Sequence, residues 1–294
     1  MNELVSPKQV ARAIGVSESS LKRWCDRGLI TTIRTAGGHR KLPMNAVLEF
    51  LKSSGRELVE PGILGLPATV GQGEGTIRRA KDRLKETLIE GDEAACRQII
   101  FDLYLAKHPI SVICDQVIAT VFQEIGELWD CGEVEVYEER MSCETCLRIL
   151  HELRNRIPPV RPGSPVAIGG TLDGDPYTLQ TTMAELVLCT NGWNAKSLGN
   201  SLPFFTLIAA IEKRRPKLFW LSVSHVRDET RFLQEAEKLY EAAVENNAAL
   251  VVGGQALTDG LRKQMKYSAF CDTMQHLETF ADTIHQQNHP AADV

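Results

Sequence analysis

The spacing of apolar residues changes along this chain, and that change constrains the fold more than any single motif. Between Thr76 and about Ile157, apolar residues recur in four amphipathic stretches with short breaks, a pattern typical of a four-helix bundle. After Pro158-Pro159, short β-rich runs alternate with helical stretches; the runs are 166–169, 195–198, 218–223, 250–252 and 268–271. This alternation predicts a doubly wound, flavodoxin-like parallel sheet, which binds ligands beyond the carboxyl ends of its strands.

Residues 6–52 carry a different pattern, of short helices and a hairpin. Ser6-Pro7 begins one predicted helix, Ser17 or Ser19 begins a second, and a glycine ends each of them. A hairpin with a Gly37-Gly38 turn and a closing helix follow. Together these elements predict an α-helical winged helix-turn-helix domain.

The charge distribution sets this first unit apart from the rest of the chain. Residues 1–52 hold nine lysines and arginines against four acids, a net charge of +5, whereas the remainder holds 24 against 34, a net charge of −10. A basic head on an acidic body indicates an anionic partner for the head alone. We therefore expect the head to bind double-stranded DNA.

The composition also suggests where the units begin and end. Residues 53–75 contain six glycines and two prolines without apolar periodicity, which predicts a flexible linker. The predicted division is a DNA-binding domain at 1–52, the linker at 53–75, the bundle at 76–160, the α/β domain at 161–287 and a disordered tail at 288–294.

Several classes of protein are disfavoured. No apolar run approaches the roughly 20 residues of a membrane span, and the first residues have no secretory pattern. The eight cysteines lie scattered in apolar stretches, which is typical of reduced thiols, so we expect a cytoplasmic protein. No motif for a serine hydrolase, a P-loop or a zinc protease occurs. We expect no catalytic residues and no metal ligands, since Cys143 and Cys146 form a lone pair inside a predicted helix.

The head resembles the DNA-binding domain of the MerR family over about 50 residues, including the wing sequence from Arg34 to Arg40. In a helix-turn-helix the start of the second helix meets the major groove. The wing glycines allow close backbone approach, and basic wing residues reach phosphates or the minor groove. The expected DNA-binding residues are Ser19, Ser20, Lys22, Arg23, Arg34, Gly37, His39 and Arg40.

Bundle and sheet, in this order after such a head, resemble the CarH-type cobalamin-dependent, light-responsive repressors over nearly the whole chain. That family carries D/E-x-H-x-x-G after the first strand of its sheet. The resemblance implies that this histidine ligates cobalt from below and that the glycine leaves room for the nucleotide tail. Here Asp175 keeps the acid, whereas Tyr177 replaces the histidine and Gln180 replaces the glycine.

The bundle shows the same combination of retained and altered positions. The family's W-x9-E-H motif, whose tryptophan covers the upper face of the corrin, reads here as Trp129, Glu139 and Arg140. Small residues resembling the family's rims follow the third and fourth strands, and His225 lies beyond the third. The expected cofactor-binding residues are Trp129, Glu139, Arg140, Asp175, Tyr177, Gln180, Ser222, Ser224, His225, Gly253 and Gly254.

Three interpretations of this pocket remain open. It holds another large planar ligand, with Trp129 stacking and Arg140 pairing propionates; it holds cobalamin without a lower protein ligand; or it is vestigial and the bundle only oligomerises the chain. The sequence ranks a linear tetrapyrrole such as biliverdin first, cobalamin second and haem third. We expect a repressor and photoreceptor or ligand sensor that acts as a homodimer or tetramer. The alternative is a corrinoid carrier domain serving a methyltransferase.

Overall fold

The computed structural model describes residues 4–35, 37–54, 56, 58–65, 74–157 and 160–288. Within them the head has a core of its own, formed by residues from Val5 to Leu64. A second core fills the bundle and includes the bundle-facing side of one helix of the sheet domain. Two further cores lie on the two faces of the sheet.

The head consists of three short helices and a three-stranded antiparallel sheet of order β1-β3-β2. Ser6 caps the first helix in a reciprocal capping box with Gln9, and Ser17 rather than Ser19 caps the second. The elements are β1 (Leu4–Val5), α1 (Pro7–Ala13), α2 (Glu18–Asp26), β2 (Ile33–Arg34), β3 (Arg40–Pro43) and α3 (Met44–Ser54).

The predicted flexible linker is in part an ordered piece of the head. The backbone N–H groups of Val59 and Glu60 donate to the carbonyl of Ala13 at 2.7 and 3.0 Å. A short 3-10 helix follows at Pro61–Leu64. Leu58 and Leu64 are buried in the head core, and the burial of these two leucines explains why the segment packs despite its glycines. Residues 55, 57 and 66–73 of the predicted linker lie outside the described residues.

Four helical stretches form the bundle, as the apolar periodicity predicts. They are α4 (Glu74–Glu90), α5 (Glu93–Leu105), α6 (Ile110–Val112) continuing through a π-helical segment (Ile113–Ala119) into α7 (Thr120–Asp130), and α8 (Val136–Arg156). The π-helical segment is a departure from the expected regular helix.

A parallel sheet of order β5-β4-β6-β7-β8 follows. Its elements are β4 (Val166–Thr171), α9 (Leu179–Thr190), β5 (Asn194–Ser197), α10 (Phe204–Arg214), β6 (Leu218–Ser222), α11 (Glu229–Glu245), β7 (Ala249–Gly253), α12 (Asp259–Arg262), β8 (Ala269–Phe270) and α13 (Met274–Asn288). The strand order reverses between β4 and β6, where open α/β sheets bind ligands. Of the predicted disordered tail, residue 288 ends α13 and residues 289–294 lie outside the described residues.

The bundle is fixed to the face of the sheet that α9 and α13 cover. Leu179 and Met183 of α9 belong to the bundle core. The carboxylate of Asp115, in the π-helical segment, accepts the backbone N–H groups of Met274 and Gln275 at the start of α13. This attachment brings the start of α8 to the carboxyl edge of the sheet. None of the helices described is both long and apolar enough to span a membrane.

Candidate functional site

Asp175 holds together the two loops at the reversal of strand order. It is fully buried just after β4. Its Oδ1 accepts the backbone N–H of Tyr177 at 3.1 Å, and its Oδ2 accepts those of Ser224 and His225, after β6, at 2.6 and 3.3 Å. Because its side chain is enclosed, Asp175 shapes these loops and presents no surface to a ligand, unlike the contact that the sequence predicts.

The electrostatics of this carboxylate reflect two opposing effects. Burial raises the pKa of Asp175 above its ordinary value, and the N–H groups of Ser224, Tyr177 and His225 offset part of that rise. The backbone carbonyl of Asp175 also accepts the hydroxyls of Thr171 and Ser201. Both loops are therefore held in one arrangement at the edge of the sheet.

Arg140 joins the bundle to this edge. Its guanidinium carbon lies 5.6 Å from the ring centroid of Tyr177, within the range of a cation–π interaction. Its Nε lies 3.5 Å from Oε2 of Glu139. The structure thus brings together Glu139, Arg140 and Tyr177, which the sequence assigns to one site. Glu139 and Arg140 belong to the bundle and Tyr177 to the sheet domain, on opposite sides of Pro158-Pro159 in the chain.

Exposed apolar side chains lie close to Glu139 and Arg140 along the chain, at the end of α7 and the start of α8. Trp129, at the end of α7, is 50% exposed, and no ring contact joins it to Tyr177 among the described residues. Large exposed side chains at the start of α8 extend the surface: Val136, Tyr137 and Met141. Sequence reasoning missed these three, although their place beside Trp129 and Glu139 in the chain is a signal that would have found them. A planar ligand would cover this surface.

The small residues at the strand ends are explained by backbone packing. Ser222 pairs with Gly253 in the sheet. A Cβ on Gly253 would collide with the carbonyl of Cys271, and one on Gly254 with the backbone of Val223. Glycine is therefore required here by the approach of the chain to itself, which is a structural reason that the sequence pattern alone does not distinguish from a ligand cradle.

The residues present do not fit a corrinoid whose cobalt is ligated by a protein histidine at the family's position. Tyr177 is exposed at this position and offers a phenol in place of the imidazole nitrogen. Cys143 does not supply a thiolate either, because burial raises its pKa to about 12. His225 lies exposed on the same edge, but its backbone, not its ring, is what Asp175 holds.

On the head, a groove runs between the start of α1, helix α2 and the hairpin. Its lining residues are Ser6, Pro7, Lys8, Glu18, Lys22, Thr35, His39, Arg40 and Lys41. Lys8 and Lys41 are not among the predicted DNA contacts, although the charge excess of the head includes both. Ser19, Arg23, Arg34 and Gly37 are exposed, and the hydroxyls of Ser19 and Ser20 lie 2.9 Å from that of Ser17.

Arg40 differs from the expected free phosphate contact. Its guanidinium forms a 2.8 Å ion pair with Asp26 at the end of α2, and its side chain is only 28% exposed. Lys22 is also paired, with Glu18 one turn earlier at 3.2 Å. Arg40 therefore ties the hairpin to α2.

Two segments of the chain match known domain families. Residues 4–55 match the helix-turn-helix domain, and residues 80–154 match the B12 binding domain. The chain therefore joins a segment that matches a helix-turn-helix domain to a helical bundle that matches the B12 binding domain, and the parallel sheet follows that match.

The relatives of this chain include corrinoid proteins. The trimethylamine corrinoid protein of Methanosarcina barkeri is 22% identical over 181 residues, which cover 60% of this chain and 82% of that protein. Methionine synthase of Mycobacterium tuberculosis is 19% identical over 179 residues, which cover 60% of this chain and only 15% of that protein. The structure of the Methanosarcina barkeri monomethylamine corrinoid protein superposes with a TM-score of 0.60 at 15% identity, over 70% of this chain and 99% of that one, which shows a shared fold.

Proposed function

We propose that this chain is a transcription regulator, a MerR-type repressor, whose B12-binding module senses a bound tetrapyrrole and controls how copies of the head are presented to DNA. The observation that carries the proposal is the union of a basic helix-turn-helix domain with an acidic corrinoid-type module that lacks the cobalt histidine. A head of this size buries too little surface for tight specific binding, so a coupling between ligand and assembly is the natural control.

The ligand that we propose is a corrinoid held without a protein histidine, with a linear tetrapyrrole such as biliverdin second and haem third. The sequence alone ranks biliverdin first because of Arg140. The matched B12 binding domain and the corrinoid relatives reverse that order. The surface of Trp129, Arg140 and Tyr177 supports a flat conjugated ring in either case. Light is a proposed signal that rests on the resemblance to CarH-type repressors.

A corrinoid carrier serving a methyltransferase is the competing function, and the relatives favour it. Tyr177 at the histidine position and the DNA-binding head weigh against it, since a carrier has no use for a helix-turn-helix domain. We propose that the chain has no enzymatic activity and works in the cytoplasm, where its DNA target lies.

The test uses the full chain and a duplex selected by it from a random library. Visible spectra with hydroxocobalamin, adenosylcobalamin, biliverdin and haemin identify the ligand, and light scattering coupled to size exclusion gives the assembly in the dark and after illumination. We expect one of the tetrapyrroles to bind. Its binding should change the assembly state of the protein and should change the affinity for the duplex at least fivefold. Arg140→Ala should weaken binding of the tetrapyrrole, whereas Arg23→Ala should weaken only binding of the duplex. Failure to select any duplex, together with transfer of a methyl group from a bound methylcorrinoid, would establish the carrier instead.

A further inference from the structure

Trp220 fills the layer between α9 and the sheet, directly behind the candidate site. It lies on β6, is 3% exposed, and pairs in register with Gly169 of β4. A Cβ on Gly169 would collide with the backbone carbonyl and the indole ring of Trp220, so the ring packs directly against β4 at this glycine. Its Nε1 donates to the hydroxyl of Thr181, in the first turn of α9, at 2.9 Å. The indole therefore bridges the sheet and the helix.

Polar contacts extend this closure to the neighbouring strand. The hydroxyl of Thr181 lies 3.1 Å from that of Ser197 at the end of β5, and the Ser197 hydroxyl accepts the backbone N–H of Gly199 at 3.2 Å. Together with Trp220, these groups connect β6, α9 and β5 in one chain of hydrogen bonds. A group entering between α9 and the sheet would have to break this chain and displace a buried indole.

Gln180 stands at the mouth of this closed layer, next to Thr181. Its Oε1 is buried and has no hydrogen-bond partner among the described residues. Buried amide oxygens are seldom left unpaired in proteins, so this oxygen is available to accept an N–H group from a ligand at the start of α9. Tyr177, in the loop just before α9, is exposed at the edge outside the layer.

We propose that the site takes a corrin or other tetrapyrrole ring at the edge of the sheet only, with nothing inserted between α9 and the sheet. The ligand class is a ring whose nucleotide tail is absent or stays outside the protein. The inference rests on the proposed tetrapyrrole-binding function and specifies which part of the ligand the protein recognises.

The experiment compares two corrinoids that differ only in the tail. Visible titrations of the full chain with aquacobinamide, which has no nucleotide tail, and with hydroxocobalamin give the ratio of their dissociation constants. We expect the two constants to agree within about threefold, because the tail makes no contact. As an independent arm, the tail nucleoside α-ribazole alone should show no saturation transfer from the full chain.

Variants separate the closure from the edge surface. Opening the layer with Trp220→Ala and Gln180→Gly should favour hydroxocobalamin over aquacobinamide at least tenfold. Trp220→Phe, which keeps the layer filled, should retain the wild-type ratio. Trp129→Ala is the matched control, because it removes a tryptophan from the edge surface. It should weaken binding of both corrinoids and leave the ratio of their dissociation constants unchanged.

The outcomes distinguish this inference from the function on which it depends. A wild-type chain that binds hydroxocobalamin more than about threefold tighter than aquacobinamide, or that binds α-ribazole, overturns the inference and leaves a tetrapyrrole-binding regulator intact. A chain that binds no corrinoid, biliverdin or haemin overturns the ligand part of the proposed function and this inference with it. The wild-type ratio needs no variant, so a variant that fails to fold does not affect it.

Discussion

The ion pair between Arg40 and Asp26 fixes the hairpin of the head against the end of α2. The Arg40 side chain is mostly covered, and its Nη2 lies 2.8 Å from Oδ1 of Asp26. The hydrogen bond to Asp26 and the charge of that carboxylate raise the pKa of Arg40 further, so the arginine side of the pair stays charged. Residues of the hairpin and of α2 can then meet DNA in one fixed arrangement.

We expect Asp26→Asn to lower the preference for the selected duplex over random duplex about three- to tenfold, because the hairpin is no longer tied to α2. Binding to random duplex should not weaken, since every basic side chain that reaches a phosphate is still present. Glu18→Gln is the matched control: it makes the same change of charge on the same helix by breaking the pair with Lys22, and it should leave the preference unchanged. Fluorescence anisotropy measures both affinities, and an equal drop in preference for the two variants would refute the positioning role of Arg40.

At the scale of elements, the loops after β4 and β6 depend on one buried carboxylate. Asp175→Ala would leave the N–H groups of Tyr177, Ser224 and His225 without their acceptor. Buried donors that lose a charged partner cost about 1.5–3 kcal/mol each at most, and relaxation of the loops recovers part of this. We expect the free energy of unfolding to fall by about 2–4 kcal/mol in urea titrations. Asp173→Ala, on the exposed part of the same loop, should change it by less than about 0.5 kcal/mol.

The raised pKa of Asp175 also determines whether the stability of the fold rises or falls with pH. Between the ordinary aspartate value of 3.8 and the raised folded value, the folded state binds more protons than the unfolded state. Stability must then fall as pH rises through this window. Asp175→Asn lacks this titration, so the wild type should lose stability relative to that variant as pH rises above 4. Urea titrations from pH 4 to 7 measure the difference, and a wild type that instead gains stability relative to the variant would contradict the prediction.

The elements with strong local patterns are predictable from the sequence. Apolar periodicity predicts the bundle, and the alternation of β and α patterns predicts the parallel sheet; both are confirmed. Contacts between residues distant in the chain are not predictable. The sequence assigns Asp175 to a ligand contact and misses its structural role. That role is to accept an N–H group from Ser224, some 50 residues later, and such a contact leaves no local signature in the sequence. Trp220 stands out only as part of a strand, since its packing on Gly169 and Thr181 exists only once the sheet and α9 are assembled.

At the scale of the whole molecule, the head and the body have separate cores. The head core is complete between Val5 and Leu64, and the bundle core extends into α9 of the sheet domain. The core of the head therefore contains no residue of the bundle or the sheet domain, whereas the bundle and the sheet domain share core residues. If the head binds DNA as proposed, the net charge of +5 on residues 1–52 and −10 on the remainder favours DNA on the head, because the acidic body repels it.

This separation allows the contribution of assembly to be measured directly. We expect residues 1–75 alone to bind the selected duplex at least about 100-fold more weakly than the full chain at the same salt concentration, because joined heads bind a second half-site intramolecularly. Arg23→Ala should weaken DNA binding by both the fragment and the full chain. It should also reduce the slope of log affinity against log salt by about 0.9 for each phosphate that the arginine no longer neutralises. In the full chain that reduction is expected once per joined head, so the change in slope counts the heads bound to one duplex. Equal affinity of the fragment and the full chain, with equal changes in slope, would show that the bundle and sheet do not join heads on DNA.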